Sequence, residues 1–203
     1  MKTEQMMSFN TPRLETKRLT LRRFTEDDLD DFHALLRDPD VNRFLPWFPL
    51  ETQEKAAAFL KERFFDMYRL PSAYRYAVCL KTDDRPIGYV WLAADDSYDF
   101  GYGLGKDYWG KGIATEAARA VVQQLREDGI PYITATHDVN NPASGGIMKK
   151  LGMTYRYSYE EQWQPKDISV VFRMYQLNFS REAGWTYRKY WNQYERHFIE
   201  ELA

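Results

Sequence analysis

Five glycines fall within twelve residues from Gly101 to Gly112, directly before a segment with the apolar spacing of a helix. Glycine lets the backbone approach a phosphate closely, and the first-turn amides of a helix have no partners inside the helix. The helix dipole also favours an anion at that end. The segment therefore predicts a cradle for a phosphate or pyrophosphate group at residues 110–114.

Two nucleotide-binding motifs are the alternatives for this loop. Gly105 to Lys111 fits the GxxxxGK pattern of a P-loop, but Gly112 stands where that motif needs Ser or Thr for magnesium. A dinucleotide fingerprint needs a third glycine, which Gly103-Leu-Gly105 lacks at the right spacing.

The glycine repeat also predicts a bulge that would spread this strand from its neighbour. A thin ligand such as pantetheine with a pyrophosphate could lie in that gap.

Hydrophobic periodicity and turn residues predict the elements that hold the loop. Seven segments have the character of strands, at residues 19–24, 74–80, 86–92, 98–105, 132–136, 154–159 and 168–177. Helical spacing predicts four helices, at residues 25–37, 52–68, 111–126 and 142–150. This order is that of an α+β domain with a mixed sheet.

Composition and charge exclude several classes of protein. The 203 residues fit one domain with or without an appendage, and a 44% hydrophobic content argues against disorder throughout. A net charge of −2 gives no bulk positive field, so we predict no nucleic-acid partner and no membrane partner. The sequence has no recognisable signal peptide, no membrane-length apolar run, one cysteine and no zinc-binding pattern. We therefore expect a cytoplasmic protein with no metal.

Four segments together resemble a known family. They are Phe100 to Ala117 around the glycine loop, Asn141-Pro-Ala-Ser144, Lys150-Leu-Gly-Met153 and the opening Leu14-Glu-Thr-Lys-Arg-Leu-Thr-Leu-Arg. They are similar to the GNAT N-acetyltransferase superfamily, and within it to the Rim-type ribosomal-protein N-terminal acetyltransferases. The resemblance covers residues 12–178. It implies a mixed, mostly antiparallel sheet of about seven strands flanked by helices, and direct transfer of acetyl from acetyl-CoA to a primary amine.

The resemblance also implies which residues bind acetyl-CoA. They lie on the glycine strand, at the cradle and at the start of the last short helix: Tyr102, Gly103, Leu104, Trp109, Gly110, Lys111, Gly112, Ile113, Ala114, Asn141 and Ser144. One departure is Asp107, where the superfamily usually has Gln or Arg. We therefore expect the pyrophosphate to be held by backbone amides, with Lys111 as the only nearby cation.

Acetyl transfer needs a base for the amine and an acid for the departing thiolate, because α-amines have a pKa of about 8 and lysines about 10.4. The candidate bases are Glu160, ranked first because the Rim-type enzymes are thought to place a base in that region, and Asp99. A solvated strand-end charge is the alternative for each. Many family members use a tyrosine as the acid, but Met148 stands at that position, so Ser144 is the candidate. A local bond to its own helix is the alternative role for Ser144.

The acceptor side is less defined by the sequence. In the family, the segment of Trp47 and Phe48 covers the acceptor cleft, and packing against the core is the alternative for Phe48. Aromatic walls suit a protein N-terminus or a small-molecule amine equally. The sequence also leaves open a second class of function, an acyl-CoA-binding regulatory module without catalysis.

Residues 179–203 lie outside the acetyltransferase pattern. Tyr187, Tyr190 or Trp191, Tyr194 and Phe198 recur at helical spacing, which predicts a C-terminal helix with one aromatic face. That face would need a cover. The expectation is packing on the same chain in a monomer, with a contact between two subunits of a homodimer as the alternative.

Overall fold

A computed structural model describes residues 10–70 and 73–202. The prediction that no signal peptide is present concerns mainly residues 1–9, which lie outside the described residues. Two antiparallel sheets form the centre of the fold, with strand orders β1-β2-β3-β4-β5 and β6-β8-β7-β9. The strands are β1 (Leu14–Glu15), β2 (Leu19–Arg22), β3 (Arg75–Leu80), β4 (Pro86–Leu92), β5 (Phe100–Leu104), β6 (Tyr132–Asp138), β7 (Thr154–Trp163), β8 (Ile168–Asn178) and β9 (His197–Phe198).

Helices flank both sheets, which confirms the predicted mixed α+β class. They are α1 (Leu29–Arg37), α2 (Gln53–Leu60), α3 (Ile113–Glu127), α4 (Pro142–Lys150) and α5 (Lys189–Gln193). The helix predicted over 52–68 is regular only through α2, and it continues as a wider π turn and a 3₁₀ turn to Arg69. Among the described residues, no helix has the length and apolar character needed to cross a lipid bilayer.

The apolar stripe of α3 anchors the loop that precedes it. Ala117, Ala118, Val121 and Leu125 are fully or almost fully buried, and they share a core with strands of both sheets. Removing such side chains from water contributes about 25 cal/mol per Å² of apolar surface. A second core of aromatic rings, including Phe32 and Phe64, packs α1 and the α2 segment against the first sheet.

The two sheets meet at one point and then separate. Asp99 and Thr134 form an isolated parallel bridge, and the Thr134 amide donates to the Tyr98 carbonyl at 3.2 Å. No further bridge joins β5 to β6 within the described residues. A cleft therefore opens between β5 and β6 beyond Asp99, and it is closed on one side by the start of α4.

The bulge predicted in the glycine strand is absent. β4 and β5 pair in continuous register from Gly88 with Leu104 to Leu92 with Phe100. The two glycines instead make room for rings of β4. A Cβ on Gly101 would lie 1.6 Å from Trp91 Nε1, and one on Gly103 would lie 2.5 Å from Tyr89 Cζ.

The C-terminal segment is helical only over the five residues of α5, so the prediction of a longer aromatic helix is wrong. Residues 197–198 are extended because they pair with the free edge of β7 as β9. The rings contact the second sheet rather than lining one helical face. Tyr194 stacks on Tyr159 at 4.7 Å between centroids, and Trp191 packs edge-on against Tyr157 at 5.4 Å.

Candidate active site

The cleft between β5 and β6 opens into a cavity of about 980 Å³. One end is lined by the glycine loop and by the starts of α3 and α4. The rest of the lining includes Asp99, aromatic residues of both sheets and Trp47 of the loop that follows α1, and we call this part the acceptor end. The cavity therefore connects the predicted phosphate cradle with the region of the candidate catalytic groups.

The predicted cradle contains two glycines with left-handed backbone. Gly110 and Gly112 have φ of +70° and +73°, and Gly112 is the N-cap of α3. Both line the cavity, together with Ile113 and Ala114 of the first helical turn. First-turn amides lack partners inside a helix, so α3 presents free donors and the positive end of its dipole to this part of the cavity.

The expectation that Lys111 is the only nearby cation is wrong. Arg18 Nη1 donates to the Lys111 carbonyl at 2.9 Å, and Arg18 Nη2 lies 3.8 Å from the Cβ position of Gly112. Glu116 holds the same guanidinium, with its Oε2 2.7 Å from Arg18 Nε. Arg18 is 93 residues from Lys111 in sequence, so no local pattern could reveal it. Arg18 and Lys111 are both exposed, and neither of them lines the cavity itself.

The other predicted cofactor residues all line the cavity. Tyr102, Gly103 and Leu104 lie on β5, and the Trp109 indole donates from Nε1 to the Leu104 carbonyl at 2.7 Å. Asn141 caps α4, because its side-chain oxygen accepts from the Ser144 amide at 3.4 Å. The two sides of the cleft thus bring together residues that lie about forty positions apart.

Tyr102 and Ser144 meet across the cleft. The Tyr102 hydroxyl donates to the Ser144 carbonyl at 2.8 Å and lies 3.0 Å from Ser144 Oγ. Since the tyrosine has one proton and gives it to the carbonyl, Ser144 Oγ can donate to the tyrosine oxygen. Burial raises the pKa of Tyr102, which keeps this hydroxyl protonated. Met148, at the position of the usual tyrosine, is buried and has no proton to give.

Asp99 is the candidate base that lines the cavity. Its Oδ1 is buried and has no hydrogen-bond partner among the described residues. Burial, and secondarily the charge of Asp95, raises the pKa of Asp99 to about 7. A carboxyl group poised near neutral pH can accept a proton and release it again under physiological conditions.

Glu160 lies outside this arrangement. It is absent from the cavity lining, and its carboxylate accepts hydrogen bonds from Ser169 and Arg196. These two partners hold the pKa of Glu160 below its usual range. Arg196 comes from the C-terminal segment, a contact that the sequence pattern did not predict.

The acceptor end contains more aromatic side chains than predicted. Trp47 lines the cavity and donates from Nε1 to the Asn42 side-chain oxygen at 3.1 Å. Phe48 is 57% exposed and does not line the cavity. Further rings of the lining were not singled out from the sequence: Tyr89, Trp91, Trp163 and Phe172. The aromatic content of 16% was the one available indication of such a wall.

A family model of the acetyltransferase (GNAT) domain matches residues 18–154, about two thirds of the chain. The chain belongs to the GNAT acetyltransferase family. Enzymes of this family use acetyl-CoA, so the protein is an acetyl-CoA-dependent acyltransferase.

Individual GNAT relatives agree with this assignment. The uncharacterized N-acetyltransferase YnaD of Bacillus subtilis is 30% identical over 144 residues, which are 69% of this chain and 81% of YnaD. The ribosomal L7/L12 α-N-protein acetyltransferase RimL, solved with coenzyme A, has a TM-score of 0.74 at 17% identity, over 84% of this chain and all of RimL. Spermidine N-acetyltransferase from Vibrio cholerae, solved with CoA and spermine, has a TM-score of 0.68 at 17% identity. The match covers 81% of this chain and 98% of the spermidine N-acetyltransferase. Both solved structures share the GNAT fold.

Two other residues of this GNAT enzyme have potentially reactive side chains, Cys79 and His137, and burial shifts the pKa of both. Burial raises the pKa of the Cys79 thiol to about 12, so a thiolate nucleophile is not formed at neutral pH. His137 lines the cavity, with Nδ1 2.8 Å from the Asp138 carbonyl. Burial lowers the pKa of His137, which keeps the ring neutral.

Proposed function

We propose that this GNAT enzyme is an N-acetyltransferase that moves acetyl from acetyl-CoA directly to a primary amine held in the same cavity. The observation that carries the proposal is the continuity of that cavity. It joins a helix N-terminus suited to a pyrophosphate with the carboxyl group of Asp99, whose buried Oδ1 has no hydrogen-bond partner among the described residues. Both substrates could therefore be bound at once, as direct transfer requires.

The chain's own groups suit acetyl-CoA. The amides at residues 110–114 and the Arg18 guanidinium would hold the pyrophosphate, and the separated edges of β5 and β6 would receive the extended pantetheine arm. When bound, acetyl-CoA supplies an acetyl group activated as a thioester. Gly103, Leu104, Trp109 and Asn141 complete the wall along this path.

Asp99 is proposed to take the proton from the acceptor ammonium. Its pKa of about 7 lies below the usual pKa values of amines, about 8 for an α-amine and 10.4 for lysine. The amine therefore binds as an ammonium beside a carboxylate and must give one proton to Asp99 before its nitrogen can attack the acetyl carbon. A second proton leaves the nitrogen to solvent after the bond to the acetyl carbon has formed. Glu160, already paired with Arg196, is not included in this role.

Ser144 is proposed to protonate the departing thiolate. Its Oγ lies 3.0 Å from the Tyr102 hydroxyl, which can orient Ser144 as an acceptor of its proton. The proton that Ser144 gives to the thiolate would be replaced from solvent after the product leaves, as the proton taken up by Asp99 is released to solvent. Neither group ionises readily, so each acts as a donor only while negative charge develops beside it. This pair takes the place of the tyrosine that Met148 replaces.

One observation favours the second candidate function, an acyl-CoA-binding module without catalysis. Met148 fills the usual acid position with a group that cannot donate a proton. Calorimetry with acetyl-CoA, followed by thiol release with a pool of primary amines, distinguishes the two candidates. The enzyme binds acetyl-CoA and releases thiol only when amine is present. Binding without thiol release from any amine would favour the module.

The domain boundaries are also a proposal. We infer that residues 12–178 form the acetyltransferase domain and that residues 179–203 are a C-terminal appendage that packs on the same chain. The support is the Tyr157 hydroxyl, which donates to the Tyr187 carbonyl at 2.8 Å, and the Arg173–Glu200 ion pair at 2.6 Å.

A further inference from the structure

We propose that the acceptor is a small primary amine carried on an aromatic or similarly flat apolar group. This inference rests on the proposed N-acetyltransferase function and names the class of its second substrate. Three independent features of the acceptor end support it: the rings of its walls, the charges that its lining residues leave unpaired, and hydrogen bonds that link two of the segments that contribute to it.

The walls of the acceptor end are aromatic on both sheets. Trp91 lies against the backbone of Gly101 on the first sheet and packs edge-on against Trp47 at 6.4 Å between centroids. Trp163 and Phe172 of the second sheet contact each other at 5.0 Å. Ring systems pack favourably on one another at centroid separations of about 4.5–7 Å. An aromatic amine could therefore contact rings of both sheets while its nitrogen reaches Asp99.

The carboxylates that line the cavity suit one ammonium. Asp40 is bonded to Lys106, and Asp138 accepts from the backbone amide and the side chain of Asn140. Asp99 has a buried oxygen without a partner among the described residues. A polyamine carries further ammonium groups along its length, and the described lining offers no second unpaired, buried carboxylate for them.

The cations of the lining do not favour an acidic acceptor. Arg43 is exposed and its guanidinium lies over the Phe44 ring at 5.2 Å, while Lys150 is exposed near the cofactor end. His137 is neutral, because burial lowers its pKa. Among the described lining residues, no buried cation faces the acceptor end. The carboxylate or phosphate of an acidic amine would therefore lose its hydration without a buried partner.

Hydrogen bonds between the turn that follows β7 and the loop that follows α1 restrict the size of the acceptor. Lys166 Nζ, in the turn between β7 and β8, donates to the Asn42 carbonyl at 2.8 Å and to the Arg43 carbonyl at 3.3 Å. This links the segment that carries Trp163 to the loop that carries Trp47. Because Asp99 Oδ1 is buried, the amine must reach it on a slender carrier. A small molecule meets that requirement better than the amino terminus of a folded protein.

The test is the specificity constant for matched amines at saturating acetyl-CoA, followed by thiol release. The panel is phenethylamine, tryptamine, butylamine, spermidine and a peptide that begins with serine. We expect kcat/KM for the two aromatic amines to exceed that for butylamine by about tenfold or more, and to exceed those for spermidine and the peptide. Equal or higher values for butylamine, spermidine or the peptide would overturn the inference while leaving the N-acetyltransferase function intact. Absence of thiol release with every amine would overturn both.

Two substitutions test whether the preference for aromatic amines comes from the aromatic wall of the cavity. Trp163→Ala should raise KM for phenethylamine about tenfold, with little change for butylamine and none in acetyl-CoA affinity. Trp185→Ala is the matched control, because Trp185 packs on Tyr132 and does not line the cavity. An equal loss for phenethylamine and butylamine in Trp163→Ala, with the protein folded and binding acetyl-CoA, would contradict aromatic recognition.

Discussion

Gly112→Glu tests the cradle most severely, because it changes the backbone and the charge at the N-cap of α3. Gly112 has a φ of +73°, where a side chain is strained by about 1–2 kcal/mol. Space is not the obstacle, since the nearest atom to its Cβ position is Arg18 Nη2 at 3.8 Å. The new carboxylate would either face the pyrophosphate or pair with Arg18, and in both cases the cradle loses positive potential.

The magnitude follows from the charges. Two unit charges about 4 Å apart interact by about 4 kcal/mol at an effective dielectric constant of about 20. Changing the site from attraction by helix amides to repulsion by one carboxylate should therefore weaken acetyl-CoA binding by about a thousandfold at low salt. Salt will reduce the effect, because the site opens to solvent.

The matched control is Gly129→Glu at the other end of the same helix. Gly129 has a φ of +80° and nothing within 4 Å of its Cβ position, so the two variants share strain and charge. We expect a loss in melting temperature for both variants, larger for Gly129→Glu because its carboxylate lies at the negative end of the helix dipole. A loss of acetyl-CoA affinity by calorimetry is expected for Gly112→Glu alone. Affinity within threefold of wild type in folded Gly112→Glu would refute the cradle.

Three further outcomes follow from the structure. Ser144→Ala should lower kcat by about a hundredfold while changing acetyl-CoA affinity little, and unaltered turnover under chemistry-limited conditions would mean that water supplies the proton. Asp99→Asn should raise the melting temperature at pH 8, because burial disfavours the wild-type carboxylate there, and the gain should vanish below about pH 4, where the wild-type group is protonated in both folded and unfolded states. Deletion from Arg181 onward should lower the melting temperature without changing the number of subunits found by light scattering, since the C-terminal rings pack on Tyr157 and Tyr159 of the same chain. Conversion of a dimer into a monomer would contradict packing on the same chain.

Local patterns were enough to predict most of the fold. The apolar stripe of α3, the Asn141-Pro142 start of α4 and the three-strand run from β3 to β5 are encoded by periodicity and turn chemistry within short segments. The glycine loop at the N-terminus of α3 was predictable for the same reason, because glycines and a helix start are neighbours in sequence.

Contacts between distant segments were not predictable. The glycines of β5 leave space for the rings of Trp91 and Tyr89 and do not form a bulge. This placement depends on the pairing register of β4 and β5, which the sequence of β5 alone does not specify. Arg18 reaches the glycine loop from the turn between β1 and β2. Arg196 of the C-terminal segment forms an ion pair with Glu160. Helical spacing of the final rings was misleading because the edge of β7 offers backbone hydrogen bonds to residues 197–198.

The pH dependence of thiol release by wild type, Asp99→Asn and Glu160→Gln tests the central claim most directly. With acetyl-CoA saturating and phenethylamine as acceptor, wild-type kcat/KM should rise as the pH increases through about 7, since Asp99 must lose its proton to serve as the base. Asp99→Asn should lose most activity and this acid limb, while Glu160→Gln should follow wild type. A limb that disappears in Glu160→Gln and persists in Asp99→Asn would contradict the account.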